Sequence, residues 1–253
     1  MNIFLTGASS GIGEALARHY ASDGATLGLF ARRESELARL ATALAPARVM
    51  TYAGDVRDLE ALRAAGMDFL TRAGVPDAVI ANAGVSRGTM TGEAEDIPAF
   101  REVLEINVLG LVHTFHPFLA AMQKARRGTL VGIASIAGYR GLPGASAYSA
   151  SKAAAISYLE SLRVELRGTG VAVVTICPGY IATPMTHDNP YRMPFLLPAP
   201  IAARKMAQAI ARKRRFYALP WQMAWAGRLL RILPRPVYDA VFAHAPHKPR
   251  KTD

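Results

Sequence analysis

Cysteine is almost absent from this chain of 253 residues, and Cys177 is the single one. One thiol cannot build an internal disulfide framework, and it suits a reducing compartment, where a buried cysteine behaves as a small hydrophobe. Its place in the strand-like run "VAVVTICPG" marks it as core filling rather than as a nucleophile. Metal-ligand spacing is missing too. His113 and His116 lie three apart in "LVHTFHPF", but no Cys or carboxylate stands near them and Pro117 follows at once, so no metal is expected. The first apolar segment, Ile3 to Thr6, runs straight into glycine-rich sequence, without a charged n-region, an apolar h-region and a cleavage site, so no export is expected. Internal repeats and low-complexity linkers are lacking. Acidic residues are scarce in one region: residues 201–253 hold 12 Lys or Arg against 2 Asp or Glu, whereas the first 200 hold 18 against 17. The net charge of +11 therefore belongs to the tail.

What is present is a chain with 51% apolar residues, enough for one large domain. Short apolar runs ("NIFLT", "ATLGLF", "RVMTYAG", "DAVIANAG", "GTLVGIAS", "VAVVTICPG", "RFYALP") alternate with helical segments such as Gly11 to Gly24, Glu34 to Ala45 and Asp58 to Gly74. In the second helix Leu37, Leu40, Ala41 and Leu44 recur at helical spacing. Apolar strands joined by helices describe an α/β fold: a Rossmann-like, doubly wound parallel sheet of about seven strands with right-handed crossovers. Residues 1–220 form the expected domain, and 221–253 a basic, helical C-terminal extension.

Three local patterns carry chemistry. "TGASSGIG" puts Gly7, Gly11 and Gly13 where the first strand becomes a helix, so that backbone and helix N-terminus can face a pyrophosphate. After the second strand, where an NAD site has an acidic residue for the ribose, the chain has Ala31-Arg32-Arg33, and arginine suits a 2′-phosphate. "AYSASK" sets Tyr148 and Lys152 four apart on one helix face, where a cation within a few ångströms favours the phenolate.

With these motifs in order, joined by Asp55 after the third strand, "ANAG" (Ala81 to Gly84), Asn107, Ser135 after the fifth strand and "PGYIATP" (Pro178 to Pro184), the chain resembles the short-chain dehydrogenase/reductases over roughly Asn2 to Pro220. The resemblance implies an oxidoreductase that binds NADP(H). Ser135 would hydrogen-bond the substrate oxygen and Tyr148 would exchange its proton. Lys152 would lower the tyrosine pKa and bind the nicotinamide ribose, and Asn107 would hold a proton-relaying water. Gly7, Ser9, Ser10, Gly11, Ile12 and Gly13 would cradle the phosphates, and Ser9 and Arg32 would hold the 2′-phosphate with Arg33 helping. Asp55 and Val56 would address the adenine. Asn82, Ala83 and Gly84 would line its side of the cleft, and Pro178, Gly179, Ile181 and Thr183 would border the nicotinamide. Ala81 stands where many relatives have a second Asn.

Residues 185–199 occupy the place of the family's substrate lid. Met193, Phe195, Leu196 and Leu197 are expected to give it an apolar inner face that favours a lipophilic substrate over a sugar, or to pack on the domain itself. Beyond Pro220, "WQMAWAGRLLRIL" projects Trp221, Met223, Trp225, Leu229, Leu230, Ile232 and Leu233 over a broad arc, with Arg228 and Arg231 in the narrow remainder and Gln222 breaking the apolar side. About 13 residues are too few to span a bilayer. Such a helix fits an anionic membrane interface, or packing against the domain or a second subunit. No nucleic-acid motif is present. The expected protein is a cytoplasmic NADPH-dependent oxidoreductase that reduces a lipophilic carbonyl or oxidises the corresponding alcohol, with peripheral membrane contact left open and a homodimer favoured over a tetramer. Two rivals stand beside it: an NAD-dependent alcohol dehydrogenase of the same family, and a nonenzymatic dinucleotide sensor or scaffold.

Overall fold

The structure is a computed structural model that describes residues 1–187, 189–243, 245 and 250. Position 188 of the expected lid, and positions 244, 246–249 and 251–253 of the expected extension, lie outside the described residues. In chain order the strands are β1 (Asn2–Thr6), β2 (Thr26–Ala31), β3 (Val49–Ala53), β4 (Ala78–Ala81), β5 (Thr129–Ile133), β6 (Ala172–Pro178), β7 (Ile181–Ala182), β8 (Leu197–Pro198) and β9 (Phe216–Leu219). The helices are α1 (Gly11–Ser22), α2 (Glu34–Ala43), α3 (Leu59–Ala73), α4 (Ile97–Leu104), α5 (Gly110–Ala125), α6 (Ser146–Glu165), α7 (Pro184–His187), α8 (Ala199–Ala211), α9 (Trp221–Ile232) and α10 (Arg235–Phe242).

Seven of these strands form one parallel sheet in the order β3-β2-β1-β4-β5-β6-β9. Every residue of β4 and β5 is buried, as continuous apolar strands covered on both faces must be. On one face Leu16 of α1, Leu37 and Leu40 of α2 and Met206 of α8 pack on Leu5, Leu27 and Val174. On the other, Phe69 of α3 and Phe118 of α5 meet Phe4 of β1 with ring centroids 5.6 and 4.7 Å away, and Leu159 of α6 joins them. Full burial of each such side chain contributes about 1.5–3 kcal/mol. Strand order reverses between β1 and β4, and a crevice opens there at the strands' carboxyl ends, the usual ligand position in such sheets.

Helix boundaries follow local chemistry. Asp58 caps α3 by accepting from the Ala61 amide at 3.0 Å, which is why the expected Asp58 start becomes a cap. Between α4 and α5 the chain makes a π-helical turn, Glu105–Leu109, which the sequence pattern did not announce. Residues 94–125 are long and apolar enough to cross a membrane by length and composition, yet Val103, Phe115, Phe118 and Met122 of this stretch are buried in the core against the sheet.

The extension packs by a narrow edge. Ala224 and Gly227 are the buried residues of α9, and a Cβ on Gly227 would come within 2.8 Å of the Tyr139 ring and 2.9 Å of Ile136. Arg140 donates to the carbonyls of Leu230, Arg231 and Leu233 at 3.0–3.2 Å, satisfying the C-terminus of α9, and its guanidinium lies 4.3 Å from the Tyr238 ring centre. The Tyr238 hydroxyl donates to the Gly141 carbonyl. Of the two alternatives read from the sequence, packing of the apolar arc against the domain is confined to this edge: Trp221, Trp225, Leu229 and Ile232 face solvent.

Arg140→Ala removes all three carbonyl bonds, and bonds from a charged donor contribute about 1.5–3 kcal/mol. Amide hydrogen exchange across 224–242 should accelerate by roughly tenfold or more, with the sheet amides unaffected. Unchanged exchange in that segment would refute the capping role.

Candidate active site

The crevice has a volume of about 310 Å³ and runs from Arg32 and Arg33 at one end to Ser135, Tyr148 and Lys152 at the other. Its floor is the turn after β1. Gly7 and Gly11 adopt φ of 67° and 59°, and a Cβ on Gly13 would sit 2.1 Å from the Gly7 carbonyl oxygen, so α1 can approach the strand this closely only through glycine. Asn82 braces the turn from the end of β4, its amide donating to the Thr6 and Gly7 carbonyls, both at 3.1 Å. The Ser10 side chain makes no capping bond to α1, and Ser10, Gly11 and Ile12 line the crevice. Uncapped amides at a helix N-terminus, with room for a backbone-hugging ligand, fit a pyrophosphate.

The basic end differs in detail from expectation. Arg33, not Arg32, reaches Ser9, donating to its hydroxyl at 3.1 Å and its carbonyl at 3.4 Å. Arg32 is more exposed and turns to Asp55, 4.0 Å from the carboxylate. Asp55 is held by the Arg57 amide and guanidinium at 2.9 and 2.8 Å. Burial works to raise its pKa, but the bonds from Arg57 and the nearby Arg32 hold the carboxyl below its ordinary range. Val56 lines the crevice beside it, and its carbonyl bonds His113 Nδ1 at 3.0 Å. A guanidinium on the Ser9 hydroxyl, with a second guanidinium lining the same end of the crevice, fits a phosphate, so the residues present fit a nicotinamide dinucleotide.

At the other end α6 carries Tyr148 and Lys152 to the mouth of β5. Lys152 is buried and donates to the Ile133 carbonyl at 2.8 Å, with its ammonium 5.8 Å from the Tyr148 ring centre. Loss of water lowers its pKa to about 8. Tyr148 is half-buried and lines the same end of the crevice as Ser135. Burial raises the phenol above its ordinary pKa while the Ser135 hydroxyl pulls it down. Ser135 accepts from the Ala137 amide at 3.1 Å and donates to the Pro178 carbonyl at 3.4 Å. Burial also pushes Cys177 up to about 12, so this thiol is neutral filling beneath the site.

Asn107 sits in the π turn, fully buried. Its amide oxygen accepts from the Val85 amide at 2.8 Å, and its nitrogen donates to the Val85 carbonyl and the Ser151 hydroxyl, both at 2.9 Å. These three bonds fix the Asn107 side chain against the loop after β4 and against α6. Ser151 donates to the Tyr148 carbonyl at 2.7 Å and ties the π turn to α6. Gly84 lies between the Asn107 amide and the Lys152 ammonium.

Of the expected residues, Gly7, Ser9, Ser10, Gly11, Ile12, Arg32, Arg33, Asp55, Val56, Asn82, Ala83, Gly84, Ser135, Tyr148, Lys152, Pro178, Gly179, Ile181 and Thr183 all line the crevice, whereas Gly13 and Asn107 support it from beneath. Missed were Thr186, which donates to the Ile181 carbonyl at 2.6 Å, and Met185, which lines the wall. The lid is also corrected. Phe195 and Leu196 point outward, because Leu197 pairs with Ile181 as β8 on β7 and only it turns toward the core.

The sequence profile of the short chain dehydrogenase family matches residues 1–193, and the chain belongs to that family, oxidoreductases that act on CH–OH groups with a nicotinamide dinucleotide. It is 38% identical over 243 residues to an uncharacterized oxidoreductase of Myxococcus xanthus, covering 93% of this chain and 94% of that one. It is 37% identical over 190 residues to 11-beta-hydroxysteroid dehydrogenase 1A of Arabidopsis thaliana, 74% of this chain but 54% of that longer protein. Among solved structures, an alcohol dehydrogenase of Thermococcus sibiricus complexed with 5-hydroxy-NADP superposes with a TM-score of 0.76 at 28% identity, covering 86% of this chain and 94% of that one.

A dinucleotide that favours charged Lys152 binds less well as pH rises through the lysine's pKa in the free protein, about 8. Dinucleotide affinity measured by calorimetry should therefore decline above that pH, and Lys152→Met should flatten the profile. A parent profile flat to pH 10 would contradict the assignment.

Proposed function

We propose that this protein is an NADPH-dependent reductase of a carbonyl on a lipophilic small molecule, able to run as the corresponding alcohol oxidoreductase. The carrying observation is one cleft with Ser135, Tyr148 and Lys152 at one end and Arg33, Ser9 and Arg32 at the other. Gly7, Ser10, Gly11 and Ile12 hold the pyrophosphate, Arg33 with Ser9 and Arg32 the 2′-phosphate, and Ile181 and Thr183 border the nicotinamide. When bound, the dinucleotide supplies the hydride. Ser135 orients the substrate oxygen, and Tyr148 gives that oxygen a proton. Burial raises the phenol's pKa, so that it holds the proton it gives to the substrate oxygen. Lys152 stands beside the tyrosine ring and offers its remaining N–H groups to the ribose.

Two features support the finer parts of this reading. The carboxylate that could serve a free ribose in the NAD-dependent rival, Asp55, is engaged by Arg57 and faced by Arg32. Met185 on the wall, near Ile181, supports a lipophilic substrate. A sensor or scaffold would have no use for the complete Ser, Tyr and Lys set. The same reading takes the chain as a cytoplasmic homodimer, with 221–253 as an extension that meets an anionic membrane surface.

Tyr148→Phe should cut turnover by at least roughly 10²-fold, typical of one general acid, while NADPH affinity stays near that of the parent. Near-normal turnover would remove Tyr148 from its role. NADPH should bind about tenfold to a hundredfold more tightly than NADH, as a charge-assisted phosphate contact implies. Arg33→Ala should shrink that ratio more than Arg32→Ala does, and equal affinities in the parent would defeat the NADP assignment.

A further inference from the structure

We propose that the outer face of α9 and α10 is a docking surface for an anionic phospholipid bilayer and seats the mouth of the cleft at the headgroup level. The second half of that statement rests on the reading of the substrate as lipophilic.

On α9, Trp221, Trp225, Leu229 and Ile232 are 69, 64, 62 and 77% exposed, and on α10 Val237 and Val241 are 47 and 64% exposed. The α9 residues follow one another at intervals of four, four and three, and so form one row on one helix face. That row cannot turn inward, because the opposite edge is committed through Ala224, Gly227, the Arg140 bonds and the Tyr238 bond to Gly141. Leaving such a row in water is unfavourable, and no element among the described residues covers it.

Charge selects the occupant. The Arg228 guanidinium lies 5.6 Å from the Trp225 ring centre, and Arg231 of α9, Arg235 at the start of α10 and the run Arg212, Lys213, Arg214 and Arg215 before β9 are exposed. Asp239 is the single acidic residue between 201 and 243. A second copy of this chain would set the patch against itself, bringing arginine to arginine with almost no carboxylate to pair. A nucleic acid would take the arginines but leave Leu229, Ile232 and Val241 without apolar partners. A row of tryptophan and aliphatic side chains bordered by arginines instead matches the boundary between acyl chains and anionic headgroups. At 12 residues α9 is about 18 Å long, too short to cross, so it lies in the plane of the surface.

The face adjoins the cleft. A Cβ on Gly179, which lines the wall, would meet Met223 of α9 at 3.2 Å, and the next residue, Tyr180, accepts from the Leu197 amide of the lid at 3.0 Å. A membrane-dissolved substrate would thus enter beside the element that holds the surface.

The full-length protein tests this directly, because Trp221 and Trp225 are its only two tryptophans. With vesicles of mixed phosphatidylglycerol and phosphatidylcholine at low salt, tryptophan emission should shift to the blue and the protein should sediment, with affinity reduced roughly tenfold or more at high salt. Leu229→Ser with Ile232→Ser should lower vesicle partitioning about tenfold or more while NADPH binding is retained. Absence of both shift and sedimentation at low salt would overturn the proposal, as would equal binding to pure phosphatidylcholine. A concentration-dependent blue shift without vesicles would overturn it in favour of a second copy. Failure of the parent to bind NADPH would strike the oxidoreductase reading and leave the docking result standing.

Discussion

The ammonium of Lys152, buried and held by the Ile133 carbonyl, is the contact on which the site depends. A buried cation is costly unless it is hydrogen-bonded, and here the bond comes from backbone at the end of a central strand rather than from a mobile carboxylate. That fixes α6 against the sheet at one residue. Tyr148, one helical turn earlier, is then placed beside Ser135, and Ser151 ties its backbone to Asn107 and the π turn. The geometry of the hydroxyls is therefore as rigid as the sheet. One bond to a neutral carbonyl leaves the ammonium with two further N–H donors, and burial lowers its pKa.

The opposite end of the crevice is also built around positive charge, with Arg33 on Ser9 and Arg32 facing Asp55. Between the two lies the glycine turn, where Gly13 lets α1 come within reach of β1 and leaves its amides uncapped. A ligand with phosphates at its middle and far end satisfies all three places at once. Asp55, the carboxylate that could oppose it, is already paired with Arg57.

The fold was legible because period and punctuation agree: the apolar runs became seven parallel strands, and the glycine turn fell at the strand-to-helix junction. The residues that touch the crevice were legible for the same reason, since motifs at the ends of strands in such a sheet converge on one edge. Pairwise partnerships were not. Arg32 and Arg33 are adjacent, and only the path of the backbone decides which one reaches Ser9. The balance of water loss against hydrogen bonding at Tyr148 depends on how deeply α6 packs, and the outward turn of Phe195 and Leu196 follows from the β7–β8 pairing, which two-residue strands do not signal. For α9 the helical wheel gave a broad apolar arc, but it could not show that two small residues, Ala224 and Gly227, would be the buried edge and the tryptophans the outer one.

The central claim is that the cleft moves a hydride between a nicotinamide dinucleotide and a carbon bearing oxygen. The most direct measurement is mass spectrometry of the alcohol formed when the protein is incubated with NADPH deuterated at the transferring position of the nicotinamide and a panel of lipophilic ketones and aldehydes. One deuterium on the carbinol carbon, with the hydroxyl proton coming from solvent, is the result expected. Turnover that leaves the carbinol carbon without deuterium, or no alcohol from any member of the panel, would contradict the account.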